Sequence, residues 1–162
     1  MLSRQQKWDR RYLRLARELA SFSKDPSTGV GCIVADEDGD IIAATFNGLP
    51  RGVHDSVERL SNRDLKYRMI EHAERNATRV ATKKGGDAAG TTFYVYPFQP
   101  CGPCAAHLAQ HKVKRIVSMH AEDAGLIARW SEDITLANQI YREAGICLDL
   151  YFAAFLDLED DT

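Results

Sequence analysis

The 162-residue chain lacks the features that mark membrane, secreted and strongly basic proteins. No apolar run approaches the ~20 residues needed to span a bilayer, and the first residues carry no apolar signal core. The formal net charge is only −2, so no strong field draws the chain to nucleic acid or an anionic membrane. Cysteines number only four, and without an export signal they are expected to be thiols or metal ligands. We therefore expect a cytoplasmic protein with no membrane partner, for which a nucleic-acid partner is disfavoured.

Internal repeats, long linkers and low-complexity segments are also missing from the sequence. A hydrophobic content of 44% and a charged content of 27% are ordinary for a soluble globular domain. A chain of this length can bury a sizeable core without dividing in two. We therefore predict a single domain over residues 1–162, with a frayed acidic tail at 157–162.

The spacing of apolar residues predicts alternating strands and helices. Short apolar, β-branched and aromatic runs predict strands at 29–35, 41–46, 91–96, 115–119 and 146–152. Helical spacing and capping signals predict helices at 4–21, 57–69, 72–83, 102–111 and 131–143. The first two strands are expected to pair across an acidic turn, whereas the later ones alternate with helices, which is typical of a parallel sheet. The predicted fold is α/β, with a mixed sheet of about five strands in a three-layer α/β/α sandwich.

Three residues in two separate segments have the side chains that bind zinc. One imidazole, from His72, and two thiolates, from Cys101 and Cys104, are three of the four ligands of tetrahedral Zn²⁺. Cys101 and Cys104 stand three apart at a predicted loop-to-helix junction, where the helix N-terminus favours thiolates. The sequence therefore predicts one Zn²⁺ with an open fourth position, as in catalytic sites. A structural zinc with an unseen fourth ligand, or two cysteines without metal, are the alternatives.

Glu74 follows the histidine by two residues and is the candidate proton carrier of this site. Zinc lowers the pKa of a bound water molecule to about 7, so a neighbouring carboxylate can accept its proton. The same carboxylate can then deliver protons to a ring nitrogen and to a departing amine. Alternatively, Glu74 only stabilises the first turn of its helix, a role that Glu71 could also fill.

The order His-x-Glu followed by Pro-Cys-x-x-Cys is the mark of zinc-dependent nucleobase deaminases. Three further segments narrow the match: 23–31, the loop 47–52 (Asn-Gly-Leu-Pro-Arg-Gly), and the stretch 63–77 that contains Lys66 and Tyr67. From about residue 8 to 152 the chain resembles the deoxycytidylate (dCMP) deaminases of the cytidine-deaminase-like superfamily. The resemblance implies a cytidine-deaminase-like fold and the hydrolysis of dCMP to dUMP and ammonia.

The resemblance also implies roles for particular residues. Zinc would be held by His72, Cys101 and Cys104, and Glu74 would carry protons. Asn47 would contact the nucleotide sugar, and the backbone of Ala73 would contact the pyrimidine carbonyl. Members of this family form dimers to hexamers, so the resemblance also favours a homo-oligomer.

Recognition of a 5′-phosphate needs positive charge at the mouth of the site, because a monophosphate carries a charge of about −2 at neutral pH. The predicted phosphate contacts are Lys24, Arg51, Lys66 and Arg129, the last together with Trp130. Arg129 and Trp130 are expected in the loop after the fourth strand. Each cation could instead be merely solvated, and the sequence leaves open which of them holds the phosphate.

Two classes of alternative function remain open at this point. One is a different deaminase, acting on a free nucleoside or nucleobase, on a 5-substituted cytosine, or on a transfer-RNA adenosine. The last must hold a folded RNA, which calls for a basic face that a net charge of −2 disfavours. The other is a non-catalytic, zinc-stabilised binding module.

Overall fold

The computed structural model describes residues 1–83 and 85–159. The helices of this part of the chain are α1 (Arg4–Ala20), α2 (Val57–Ser61), α3 (Arg63–Met69), α4 (Ala73–Lys83), α5 (Gly102–Gln110), α6 (Ala124–Ala144) and α7 (Ala154–Asp157). The strands are β1 (Gly31–Ala35), β2 (Ile41–Phe46), β3 (Thr92–Tyr96), β4 (Arg115–Met119) and β5 (Cys147–Tyr151). No helix among the described residues combines the length and the apolar character that crossing a membrane requires.

The strands form one mixed sheet in the order β2-β1-β3-β4-β5. Strand β1 pairs antiparallel with both β2 and β3, whereas β3, β4 and β5 run parallel to one another. The hairpin at the start and the parallel pairing in the second half agree with the expectation from the sequence. The predicted mixed sheet of an α/β fold is confirmed.

Helices cover both faces of the sheet and bury two separate apolar clusters. On one face, Ile33 of β1 packs in a cluster with Leu13 of α1 and with residues of α7. On the other, Val34 of the same strand packs in a cluster with Ala77 of α4 and with residues of α5 and α6. Adjacent residues of a strand point to opposite faces, so β1 serves both clusters. The predicted three layers are therefore present.

A buried ion pair fixes α1 on the sheet. Asp9 of α1 is fully buried and accepts two hydrogen bonds from the guanidinium of Arg115, at 2.8 and 2.7 Å, and one from the hydroxyl of Tyr151 at 2.8 Å. Burial alone would raise the pKa of this carboxyl, but the hydrogen bonds lower it below its usual value. The carboxylate therefore stays charged and joins α1 to β4 and β5.

Two helices differ from the prediction in ways that affect the site. The helix expected at 57–69 is broken at Asn62, which ends α2 and caps α3 by accepting a hydrogen bond from the Leu65 amide. Helix α6 begins at Ala124 and not at residue 131, because Asp123 caps it through the Leu126 amide. Residues 129 and 130, which were expected in a loop, therefore lie in the second turn of a helix.

Basic residues of α1 contact the first residues of the acidic tail. Arg10 and Arg14 of α1 donate hydrogen bonds to backbone carbonyls of residues 156–159, and Arg17 lies 3.4 Å from the carboxylate of Asp157. Basic residues of α1 thus contact residues 157–159, and fraying of the tail stays a prediction. Residues 160–162 of the predicted tail lie outside the described residues.

Candidate active site

The three predicted zinc ligands lie at the N-terminal ends of two neighbouring helices. His72 immediately precedes α4, Cys101 is the N-cap of α5, and Cys104 lies in the first turn of α5. An N-cap and a first-turn residue project to the same side of a helix end, so both sulfurs reach one point. The partial positive charge of a helix N-terminus favours thiolates there.

The donor atoms have the spacing that a tetrahedral zinc ion requires. Nδ1 of His72 lies 3.5 Å from Sγ of Cys101 and 3.3 Å from Sγ of Cys104, and all three donors lie within 4.8 Å of one another. Zinc–sulfur bonds of about 2.3 Å and zinc–nitrogen bonds of about 2.05 Å at the tetrahedral angle imply a nitrogen–sulfur separation of about 3.6 Å. The group is therefore positioned to bind one metal ion.

Electrostatics at these donors favour a divalent cation. Hydrogen bonds from Cys104 and His72 lower the pKa of Cys101 well below its usual value, and the bond to Cys101 raises the pKa of His72 to about 9. The pKa of Cys104 is raised, because its proton bridges to Cys101 and a second thiolate would lie beside the first. Two thiolates so close are stable only with a positive charge between them, and thiolate with imidazole is a donor set that suits zinc.

Glu74 lies beside the donors, and one of its two oxygens has no partner in the described structure. It is in the first turn of α4 and only 3% exposed, and its Oε2 makes no hydrogen bond to the described part of the chain. Burial raises the pKa of this carboxyl above its usual value. A buried, unpaired oxygen is costly in a folded protein, so its presence points to a partner that the protein itself does not supply.

A pocket opens beside Glu74 and the zinc donors. Its floor includes His72, Glu74 and Cys101, and its walls come from the segment before β1, from α3 and from the start of α6. The remaining lining residues are Asp25, Ser27, Thr28, Val30, Asn47, Lys66, Tyr67, Ile70, Ala73, Phe98, Gln99, Arg129 and Trp130. The pocket thus contains five of the seven residues predicted to contact substrate: Asn47, Ala73, Lys66, Arg129 and Trp130.

Asn47 and Ala73 line the pocket with their positions fixed by hydrogen bonds. The amide of Asn47 accepts from the backbone N–H of Val30 at 2.8 Å and donates to the carbonyl of Thr28 at 3.0 Å. The carbonyl of Ala73 accepts from the hydroxyl of Thr45 at 2.8 Å. Ala73 is the first residue of α4, so its N–H belongs to the helix-terminal donors that have no partner within the helix.

Arg129 and Trp130 reach the pocket from α6. The Arg129 side chain is exposed, and no hydrogen bond or ion pair joins it to another described residue. Trp130 packs against two other lining aromatics, Tyr67 and Phe98, with ring centroids 6.3 and 6.1 Å apart. This part of the lining therefore combines aromatic surface with a guanidinium that has no partner in the described part of the chain.

Lys24 and Arg51 are not brought into the pocket. The ammonium of Lys24 lies 2.7 Å from the carboxylate of Asp55, on the protein surface. Arg51 lies in the turn after Asn47 and lines a separate depression with Arg75. Neither cation therefore lines this pocket: Lys24 is held by its ion pair with Asp55, and Arg51 by the direction of its turn.

Some lining residues were not predicted to contact substrate. Gln99 is only 4% exposed and donates to the amide oxygen of Asn138 at 2.8 Å, while Phe98 packs against Trp130. Both directly precede Pro100 and the first cysteine, so their position beside a metal ligand was an available signal. Asp25 and Thr28 lie in segment 23–31, which contributed to the family resemblance, but their individual roles were not predicted because these depend on contacts with α3 and Asn47.

Comparison with known proteins places this site in a family. The family described as "Cytidine and deoxycytidylate deaminase zinc-binding region" matches residues 6–128. The chain belongs to this family. The resemblance noted in the sequence is thereby confirmed, as is zinc as the cofactor of the domain, with His72, Cys101 and Cys104 positioned to bind it.

Individual relatives agree with the family assignment. An uncharacterized deaminase from Aliivibrio fischeri is 34% identical over 140 residues, which cover 86% of this chain and 90% of that protein. The deoxycytidylate deaminase of Mus musculus is 31% identical over 144 residues, covering 86% and 76%. The probable deoxycytidylate deaminase of Caenorhabditis elegans is 38% identical over 116 residues, covering 70% and 57%.

Solved structures share the fold. The dCMP deaminase of cyanophage S-TIM5 in complex with dCMP and dUMP superposes with a TM-score of 0.70 at 22% identity, covering 93% of this chain and all of that one. Its apo form gives a TM-score of 0.69 at 21% identity, covering 90% of this chain and 98% of that one. At this level of identity the match establishes the cytidine-deaminase-like architecture.

Proposed function

We propose that the chain catalyses the zinc-dependent hydrolytic deamination of dCMP to dUMP and ammonia. The observation that carries this proposal is one pocket whose lining combines a zinc-type donor set with a buried carboxylate whose Oε2 has no partner among the described residues. Support for the substrate comes from relatives named deoxycytidylate deaminase and from the dCMP and dUMP held by a protein of the same fold.

In this proposal His72, Cys101 and Cys104 hold the zinc ion and Glu74 moves the protons. When bound, zinc acts as a Lewis acid that makes a water molecule nucleophilic near neutral pH. Glu74 Oε2 accepts a proton as the water oxygen bonds to C4 of cytosine, and passes it to ring nitrogen N3. The second water proton goes to the departing amine, so the C4–N4 bond breaks, ammonia leaves and a carbonyl remains at C4.

Asn47 and Ala73 orient the nucleotide in this mechanism. We assign the N–H of Ala73 to the pyrimidine carbonyl, because a donor at a helix N-terminus has no partner within the helix and suits an oxygen with partial negative charge. We assign the Asn47 amide to the sugar. Both groups are held by neighbouring hydrogen bonds, so they can bind without first being ordered.

A free nucleotide suits this surface better than a nucleic acid. The most basic helix is α1, and three of its arginines bind residues 156–159 of the same chain. The chain as a whole has a net charge of −2, so it has no net positive charge that would attract a nucleic acid. We therefore propose a small-molecule substrate and no nucleic-acid partner.

Substrate specificity and zinc content are measured together to test the proposal. Purified protein should contain about one zinc per chain and release ammonia from dCMP with a higher kcat/KM than from cytidine, deoxycytidine, CMP or dCTP. Cys104→Ser should lose both the metal and the activity, because two protein ligands hold zinc poorly. Zinc-loaded protein that deaminates none of these compounds would indicate a binding module, and a preference for deoxycytidine would indicate a nucleoside enzyme.

Arg129 is the proposed phosphate contact, and Arg129→Gln tests it. The KM for dCMP should rise about 10- to 100-fold, since a hydrogen bond to a charged group contributes about 1.5–3 kcal/mol. The KM for deoxycytidine should not change, because that substrate has no phosphate. Lys24→Gln is the matched control, as it removes a surface cation outside the pocket. Equal effects of Arg129→Gln on both substrates would contradict the assignment.

We also propose self-association and a reducing, cytoplasmic setting. Large apolar side chains stay exposed on this single chain, among them Trp8, Phe22 and Phe46, and family resemblance favours an oligomer. All four cysteines are free thiols, and a zinc site with two thiolates is best preserved where thiols stay reduced.

A further inference from the structure

Lys66, one of the cations that line the pocket, already forms an ion pair with Asp25. Lys66 of α3 is 2% exposed, and its ammonium lies 2.7 Å from Oδ1 of Asp25 and 3.0 Å from the hydroxyl of Ser27. The Asp25 side chain is itself only 7% exposed. A buried ammonium paired in this way is held by its partners, and separating the pair would leave an uncompensated charge in the protein.

The same Asp25 oxygen organises the turn that follows it. Oδ1 accepts the backbone N–H groups of Ser27 at 2.8 Å and Thr28 at 3.3 Å. This is the local geometry by which an aspartate stabilises a turn. Lys66 therefore holds the carboxylate that shapes residues 25–28.

The turn at residues 25–28 helps to fix the side-chain amide of Asn47. The Thr28 carbonyl accepts from Nδ2 of Asn47 at 3.0 Å, and the Val30 N–H donates to its Oδ1 at 2.8 Å. Together these two bonds decide which way the amide faces and where it lies in the pocket. The contacts form one continuous path from Lys66 through the Asp25 turn to Asn47.

We propose that Lys66 is a positioning residue that acts through the Asp25 turn to fix Asn47, and that it is not a ligand of the substrate phosphate. This inference rests on the proposed function and assigns Lys66 a different role from the one expected from the sequence. A phosphate ligand would affect only substrates that carry phosphate. A residue that positions Asn47 affects nucleotide and nucleoside alike.

Kinetics of Lys66→Met with dCMP and deoxycytidine test the inference. We expect kcat/KM per zinc-loaded site to fall on the order of 100-fold for both substrates, because misplacing a positioning group by about 1 Å has an effect of that size. The ratio of the two values should stay within about threefold of the unsubstituted ratio. Asp25→Asn should show the same pattern, and Lys24→Met, on the exposed ion pair with Asp55, should leave both substrates unaffected.

A loss confined to dCMP, with deoxycytidine unchanged, would overturn the inference and make Lys66 a phosphate ligand. The double variant Lys66→Met/Asp25→Asn removes both charges, so it leaves no unpaired buried ion if the single variant folds poorly. It should reproduce the equal loss on both substrates.

Hydrogen exchange gives a readout that does not depend on turnover. The amides of Ser27, Thr28 and Val30 should exchange at least about tenfold faster in Lys66→Met than in the unsubstituted protein, since their acceptors lose support. Lys24→Met should not change them. Unchanged exchange at these amides in Lys66→Met would refute the positioning role. If the unsubstituted protein deaminates neither substrate, the proposed function fails, and the exchange data still decide this inference.

Discussion

Glu74→Gln is expected to lower kcat for dCMP by about 10³- to 10⁴-fold, at the upper end of the range for general acid–base catalysis. The amide keeps the shape of the side chain but cannot accept a proton from water or pass one to N3. Zinc content should stay at about one ion per chain, because Glu74 is not among the three donor residues. Steady-state kinetics and metal analysis of the same preparation measure both quantities.

The same substitution is expected to leave the protein as stable or more stable. Glu74 is buried, and its Oε2 has no partner within residues 1–83 and 85–159. Burial raises the pKa of this carboxyl, so its charged form is disfavoured in the folded state. A neutral amide removes the cost of burying a charge. Gains in stability of this kind are common when a catalytic group in an unfavourable environment is replaced. Glu71→Gln is the matched control, a carboxylate three residues earlier that lies outside the pocket. Near-normal turnover of Glu74→Gln would contradict the proposed proton carrier.

The parts of the molecule that the sequence predicted depend on short-range signals. The spacing of apolar residues within strands and helices is a local property of the sequence. It was enough to predict the hairpin, the parallel strands and the three layers. The zinc donors were equally accessible, because the spacing of Cys101 and Cys104 and the pairing of His72 with Glu74 are each set within one turn of a helix. That His72 lies close to the two cysteines depends on the tertiary fold. It could still be predicted, because the two motifs are known to occur together in zinc deaminases.

Pairings between distant residues account for what the sequence could not predict. Lys24 and Lys66 both belong to segments that were expected to line the pocket. Lys24 binds Asp55, 31 residues away, whereas Lys66 binds Asp25, 41 residues away. Nothing local distinguishes these lysines from Arg129, which has no such partner among the described residues. The early start of α6 was missed because Gly125 weakens the helical signal there, whereas the Asp123 cap compensates for it.

Gly31→Ala is expected to lower the free energy of unfolding by more than about 4 kcal/mol, which places it among the severe single substitutions. Gly31 begins β1 where α1 crosses the sheet. A Cβ at this position would overlap the carbonyl oxygen of Ala16 and lie 2.7 Å from the backbone nitrogen of Ala20. Both are backbone atoms of a packed helix, so no side-chain rotation relieves the overlap.

Relief would require α1 to move as a unit, and this helix is fixed to the sheet by the buried pair of Asp9 and Arg115. Urea unfolding of Gly31→Ala should therefore show a much lower midpoint, or little folded protein at all. Gly48→Ala is the matched control, since a Cβ there meets no described atom within 4 Å apart from its chain neighbours. The free energy of unfolding of this variant should change by less than about 0.5 kcal/mol. If the two variants unfolded at the same urea concentration, the close approach of α1 to β1 would not be the constraint that selects glycine at position 31.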